Sequence, residues 1–226
     1  MTEAIDGPNL QSVREELVEY GVRLLRKGLL TQTSGNLSVR LSPDTIAITP
    51  TSIEYDRMTP EDIVVCDLDG AVIAGTRAPS SETPLHTTVY RLREDINAIV
   101  HTHSQHATTL AILGLPIPAV HYIIASLNTT TVPVAPYATY GTPELAANVR
   151  DTFQAPGLAV LIANHGMVAG GRALKQAADG AETTELLAGY YYRGLTAGQP
   201  NILTDGQMDE VMAKYRRKPA EANAAH

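Results

Sequence analysis

The chain has 226 residues, 44% of them hydrophobic and 18% charged, a length and balance that predict one globular domain and exclude a disordered or fibrous protein. Its formal net charge of -7 argues against a nucleic-acid partner, because nucleic acids are bound by clustered Lys and Arg. The single cysteine, Cys66, excludes an intrachain disulfide and leaves His and carboxylate side chains to hold any metal.

The N-terminal half predicts one helix followed by short strands. Residues 1–6 are acidic and lack the basic and apolar regions of a secretory signal, so we expect a cytoplasmic protein. Apolar residues recur at helical spacing from Leu10 to Leu30. Four runs with β-type composition follow, at residues 37–40, 45–48, 63–66 and 71–73.

The rest of the chain alternates helices with strands. Pro84 suits the first turn of a helix with Glu82 at its start, and residues 98–103 read as a strand. The apolar stretch 107–120 contains two prolines and is shorter than the roughly 20 residues that cross a bilayer, so we expect no membrane partner. Further strands are predicted at 132–135 and 158–162. Further helices are predicted in the Ala- and Leu-rich segment after residue 103, from 142, over 174–192 and over 205–215. We therefore predict one layered α/β domain over residues 1–226, with its core over 10–215 and a loose tail over 216–226.

Three histidines form a candidate metal site. His101 and His103 are two residues apart on a predicted strand, so their side chains leave on the same face. His165 follows a second predicted strand and precedes a glycine. Three imidazoles with an open fourth position are typical of catalytic zinc. The alternative to metal binding is that such histidines are solvated or form hydrogen bonds in the core. We expect this of His106 and His121.

Glu82 and three clusters of small polar residues complete the candidate site. An acid at a helix start often only complements the helix dipole. Beside a three-histidine metal it can also occupy the open position or act as a general base. The clusters Thr33–Asn36, Thr49–Ser52 and Ser80–Ser81 are typical of turns and caps, but together they could form a nest for a phosphate without Lys or Arg.

Six ordered motifs over residues 10–215 identify a resemblance. They are Ser34 to Arg40, Ile48 to Thr51, Ser80 to Glu82, His101 to His103, Ala135 to Thr142 and Asn164 to Gly166. In this order they resemble the class II aldolase/adducin family, and within it the branch that cleaves L-fuculose 1-phosphate. The resemblance implies a three-layer α/β/α fold with a mostly antiparallel central sheet. It also implies a homotetramer with active sites between subunits.

The resemblance further implies roles for individual residues. His101, His103 and His165 would hold one Zn²⁺ per chain, or Mn²⁺ or another divalent ion, and Glu82 would be the acid/base. Tyr122 would lie near the aldehyde end of a small phosphorylated sugar and Tyr140 would line its pocket. The implied phosphate pocket consists of Asn36, Thr51, Ser52, Ser80 and Ser81.

Two positions depart from the fuculose-phosphate branch. Ser52 stands where that branch has a glycine, and Lys218 falls near the position of a C-terminal tyrosine that reaches a neighbouring subunit. The expected reaction is metal-dependent retro-aldol cleavage of a ketose 1-phosphate to dihydroxyacetone phosphate and a small aldehyde.

Several related functions remain open at this point. The motifs around Glu82 and His101 also resemble the sugar-phosphate 4-epimerases, but residues 106–141 lack the acid that those enzymes use, and Glu82 replaces their usual aspartate. A dehydratase or decarboxylase of the same family is a second alternative. A non-catalytic adducin-like interaction module is the third, although such a module has no need of three histidines and Glu82.

Overall fold

A mixed sheet forms the middle layer of the structure, a computed structural model that describes residues 8–224, with side chains over 10–215. Its eight strands are β1 (Asn36–Ser42), β2 (Thr45–Ile48), β3 (Val64–Asp67), β4 (Val72–Ala74), β5 (Ala98–Thr102), β8 (Val134–Ala135), β9 (Ala159–Ile162) and β10 (Gly166–Gly171). They lie in the order β4-β3-β2-β1-β5-β10-β9-β8, and only the β8–β9 pair is parallel. The predicted mostly antiparallel sheet is confirmed.

Helices cover both faces of this sheet. They are α1 (Pro8–Arg26), α2 (Thr83–Leu92), α3 (Gln105–Ile112), α4 (Pro143–Thr152), α5 (Leu174–Ala197) and α6 (Asp205–Ala224). Two short 3₁₀ helices at Pro60–Asp62 and Tyr122–Leu127, and a two-stranded ribbon of β6 (Ile117–Pro118) and β7 (Thr131–Val132), complete the elements. No described helix is long and apolar enough to cross a membrane.

Strand alternation divides the core into two layers. Val100 of β5 packs in one buried cluster with Leu17 of α1 and Leu187 of α5. The neighbouring Ile99 points to the other side and packs in a second cluster with Leu85 of α2. Because each face of the sheet is buried under its own helices, the chain forms the predicted α/β/α sandwich, and the fold class is confirmed.

The main differences from the sequence prediction are two helix ends and one additional strand. The first helix ends at Arg26 rather than near Leu30, because Gly28 has a φ of 74° that stops a right-handed helix. Strand β10 was not predicted at all. The last helix continues to Ala224 instead of ending near Tyr215, so the predicted loose tail is helical over 216–224, in keeping with its Ala, Glu, Lys and Arg content. Residues 225–226 of that predicted tail lie outside the described part.

Candidate metal centre

Three histidine rings converge where β5 and β9 end. His101 lies on β5, His103 follows it directly, and His165 lies in the turn between β9 and β10. The ring centroids are 4.8–4.9 Å apart, and Nε2 of His101 lies 3.0 Å from Nε2 of His103. The structure therefore brings together the three histidines that the sequence singled out.

Glu82 brings a fourth candidate ligand atom to the same point. Its Oε2 lies 3.0 Å from His101 Nε2, and its Oε1 lies 3.2 Å from His165 Nε2. The candidate ligand atoms of all four residues lie within 4.8 Å of one another. Glu82 is the N-cap residue of α2, yet its side chain makes no capping hydrogen bond. Its carboxylate faces the histidines instead of the helix end.

Burial and charge set the protonation of this cluster. Burial raises the pKa of the Glu82 carboxyl, but the nearby His101 and His165 outweigh it electrostatically and hold the pKa below its usual range. Burial lowers the pKa of His101, but the charge of Glu82 reverses this and raises it. Burial and the two neighbouring histidines lower the pKa of His103 to about 3. The cluster thus combines a carboxylate with at least one neutral imidazole.

The residues fit a divalent metal of the zinc type. Nδ1 of His101 lies 2.9 Å from the carbonyl oxygen of Met167, so Nδ1–H donates to the backbone and Nε2 is left as the ligand atom. Oε1 of Glu82 is buried and accepts no hydrogen bond within the described chain. A buried orphaned oxygen beside three imidazoles is the donor set that zinc and similar ions prefer. Metal binding itself stays a prediction.

A glycine permits the close approach of β10 to β5 beside the candidate ligands. A Cβ on Gly166 would collide with the carbonyl oxygen of Thr102 and would lie 2.9 Å from Cδ2 of His103. Only glycine fits here without a shift of β10 away from β5. Gly166 therefore helps to bring His165 next to His103.

A cavity of about 360 Å³ opens beside the metal cluster. Of the predicted phosphate residues, it is lined by Asn36, Thr51, Ser80 and Ser81, and it also contains Tyr140. No Lys or Arg is among its lining residues in the described chain. Hydroxyl and amide groups near the start of α2 thus form the polar wall of the cavity.

Two of the predicted substrate-binding residues, Ser52 and Tyr122, do not line this cavity. Ser52 lies beside it with a φ of 62°, the left-handed region in which glycine is favoured, and its Oγ is 3.3 Å from Oγ1 of Thr51. Tyr122 lies elsewhere on the chain, where its ring stacks on His121 at 4.5 Å. Lys218 falls outside the residues with described side chains.

The structure also adds residues that the sequence prediction did not assign. Tyr137 and Asn164 line the cavity, and both fall within the motifs that carried the resemblance. His86 is fully buried and lies 2.5 Å from the Asn36 amide, which in turn contacts Glu82. His106 is a paired and partly exposed histidine, because its Nδ1 lies 2.7 Å from Oε1 of Glu185.

Comparisons with known proteins agree with this geometry. The sequence model described as "Class II Aldolase and Adducin N-terminal domain" matches residues 15–192. A 5-deoxy-D-ribulose 1-phosphate aldolase of Bacillus thuringiensis is 44% identical over 91% of this chain and 96% of its own. An L-fuculose phosphate aldolase of Haemophilus influenzae is 36% identical over 92% of this chain and 95% of its own.

A solved structure shares the fold as well. An L-fuculose 1-phosphate aldolase superposes with a TM-score of 0.87 at 42% sequence identity, covering 91% of this chain and 96% of the other. The family match spans most of the chain, and the relatives are matched over nearly their whole length. The chain therefore belongs to the class II aldolase and adducin family.

Proposed function

We propose that the chain is a metal-dependent aldolase that cleaves a ketose 1-phosphate to dihydroxyacetone phosphate and a small aldehyde. The observation that carries this proposal is the convergence of Glu82 with three histidines at a small polar cavity. A metal held by His101, His103 and His165 would act as a Lewis acid that stabilises negative charge on the substrate oxygens during cleavage. The adducin-like interaction module is disfavoured, because binding alone needs no such cluster.

In the proposed reaction Glu82 handles a carbon-bound proton. The bond between C3 and C4 of the ketose breaks, and its electron pair remains with the C3 fragment. Glu82 delivers a proton to C3 to complete dihydroxyacetone phosphate, and the proton lost from the C4 hydroxyl balances it. The position of the carboxylate within the cavity wall supports this role, since a general acid must reach the reacting atom.

The cavity wall supports a phosphate group at the other end of the substrate. Asn36, Thr51, Ser80 and Ser81 present amide and hydroxyl donors, and the start of α2 adds the positive end of a helix dipole. The proposed phosphate site therefore needs no Lys or Arg. The left-handed φ of Ser52 suits the glycine found there in the fuculose-phosphate branch, so we propose that its backbone takes part in this loop.

We propose a deoxy ketose as the sugar. The relatives at 44% and 36% identity are named for 5-deoxy-D-ribulose 1-phosphate and L-fuculose phosphate, and both sugars end in a methyl group. Tyr140 and Tyr137 place aromatic rings at the cavity, which suits an apolar end of the substrate. The more similar relative favours 5-deoxyribulose 1-phosphate over the fuculose sugar.

We further propose a cytoplasmic homotetramer with sites between subunits and zinc as the metal. Tyr122 is 53% exposed and lies outside the cavity of its own chain, so it is free to reach the aldehyde end of a site on a second copy. If so, mixing Glu82→Gln with Tyr122→Phe chains should restore part of the activity that each lacks. Two inactive variants that stay inactive when mixed would contradict shared sites.

The test of the proposed function is a panel of 5-deoxyribulose, fuculose, methylthioribulose and ribulose phosphates. The expected result is release of dihydroxyacetone phosphate from at least one ketose 1-phosphate, fastest with a deoxy sugar. Interconversion of 4-epimers without dihydroxyacetone phosphate would favour the epimerase alternative, and loss of water or carbon dioxide would favour the dehydratase or decarboxylase.

A further inference from the structure

Five buried side chains form a hydrogen-bonded row that ends at Glu82. Glu82, His86 and Tyr90 are spaced by four residues along α2, and Asn36 and Ser38 by two along β1. Four residues along a helix advance about 6 Å, and two residues along a strand advance about 6.6 Å. Because the two spacings are similar, the side chains from α2 and β1 can alternate along the row. Each of the five is at most 6% exposed.

The distances along this row are those of good hydrogen bonds. Tyr90 OH lies 2.8 Å from Ser38 Oγ, and Ser38 Oγ lies 2.6 Å from His86 Nδ1. His86 Nε2 lies 2.5 Å from Asn36 Oδ1, and Asn36 Nδ2 donates to Glu82 Oε2 at 3.0 Å. The row therefore connects the interior between α2 and the sheet to the candidate acid/base.

The carboxylate at one end sets the direction of every hydrogen bond. Because an ionised Glu82 only accepts, Asn36 must turn its Nδ2 toward Glu82 and its Oδ1 toward His86. His86 must then carry its proton on Nε2 and accept at Nδ1 from Ser38, which accepts in turn from Tyr90. Burial, aided by the charge of His101, lowers the pKa of His86 to about 3, in keeping with a neutral ring.

This arrangement holds one oxygen of Glu82 by a hydrogen bond and leaves the other without one in the described chain. Oε2 receives Asn36 Nδ2 and lies 3.0 Å from His101 Nε2. Oε1 accepts no hydrogen bond within the described chain and faces His165. A flipped Asn36 would set its oxygen against Oε2 and its NH₂ against the His86 N–H, so the imidazole holds the amide in its working orientation.

We propose that His86 is a positioning residue for Glu82. Through Asn36 it anchors Oε2 and presents Oε1 for proton transfer. The inference rests on the proposed function, because it concerns the same acid/base. Nothing in the row requires contact between His86 and the substrate, and His86 does not line the cavity.

Two variants of His86 separate positioning from packing. In His86→Gln the amide nitrogen can stand near the former Nε2, so a donor toward Asn36 is kept and the acceptor for Ser38 is lost. In His86→Asn the shorter side chain keeps a partner for Ser38 and loses the donor toward Asn36. The assay is solvent deuterium exchange into dihydroxyacetone phosphate supplied alone, with metal content and thermal unfolding measured in parallel.

Positioning predicts a loss of about 10–100-fold in exchange for His86→Asn, as is typical when the partner that orients a functional group is removed. The exchange rate of His86→Gln should stay within about threefold of the parent rate. In a Glu82→Gln background, His86→Asn should cause no further loss, because no carboxylate remains to be positioned. The loss should fall on kcat, with little change in KM.

Equal losses in the Gln and Asn variants, an unchanged Asn variant, or the same loss in the Glu82→Gln background would overturn the proposal. If His86→Asn does not fold, His86→Leu takes its place with the same expected loss, because Leu has a similar shape without polar atoms. Absence of exchange in the parent protein would contradict the proposed function itself. Exchange in the parent with no difference between the variants would contradict only the role of His86.

Discussion

The substitution Glu82→Gln separates two roles that the position of this residue allows. An acidic side chain at a helix start commonly stabilises the helix through its dipole. The Glu82 carboxylate instead lies between His101 and His165 without capping α2. Gln keeps the size of the side chain and one acceptor oxygen but cannot act as a base. Because the carboxylate is held on several sides, we expect the new amide to occupy the same place.

The two roles predict effects of different kinds. Loss of a general acid/base lowers the rate by about 10²–10⁴. At about 1.4 kcal/mol per factor of ten, this raises the activation barrier by about 3–6 kcal/mol. A helix-dipole role would lower the free energy of unfolding by only about 0.3–1 kcal/mol and leave turnover nearly intact.

The assay is deuterium exchange from solvent into dihydroxyacetone phosphate, which requires proton removal but no aldehyde. Glu185→Gln is the matched control, because Glu185 also contacts a histidine, His106, but lies outside the cavity. We expect Glu82→Gln to lose exchange while keeping its metal, and Glu185→Gln to retain exchange. A Glu82→Gln protein that exchanges at the parent rate with metal bound would refute the acid/base role.

Three further predictions follow from the site and its strands. Metal affinity, measured by calorimetry, should fall as the pH drops through the raised pKa of His101, because a proton on that imidazole competes with the metal. A metal affinity that stays constant between about pH 5 and 8 would contradict this prediction. Ser52→Gly should raise the free energy of unfolding in urea by about 0.5–1 kcal/mol, since a non-glycine residue at positive φ is strained, and a loss of stability would be the contrary result. Gly166→Ala should lower the free energy of unfolding by about 1–3 kcal/mol, because the added methyl group overpacks against Thr102, and it should also weaken metal binding. Unchanged stability and metal affinity would show that β10 can shift away from β5 without cost.

The parts of the fold and site that depend on local periodicity could be predicted from the sequence. Strand alternation placed His101 and His103 on one face, and the structure has both rings in one cluster. The helix after Pro84 was predicted with Glu82 at its start, and α2 begins at Thr83. In each case the pattern and the structure depend on neighbouring residues of the same element.

Strand β10 was missed because half of its residues are glycine, which is depleted in strands and typical of turns. Those glycines serve tertiary packing instead. A Cβ on Gly170 would lie 2.7 Å from Cδ1 of Ile96, and one on Gly171 would lie 2.6 Å from the backbone nitrogen of Ala177. Close approach by other elements therefore determines these residues, and no local pattern reveals it.

The row from Tyr90 to Glu82 was visible only in part. The spacing of Glu82, His86 and Tyr90 by four residues already predicts one helix face. That this face meets Asn36 and Ser38 depends on the docking of α2 onto β1, a long-range contact with no signal in either segment.

The most direct test of the central claim is a metal titration of the chelated protein with 5-deoxyribulose 1-phosphate as substrate. The rate of dihydroxyacetone phosphate release should rise in proportion to bound zinc and level off at one ion per chain. The triple variant with His101, His103 and His165 replaced by Ala should bind none and stay inactive. Full release of dihydroxyacetone phosphate from the metal-free protein would contradict the account.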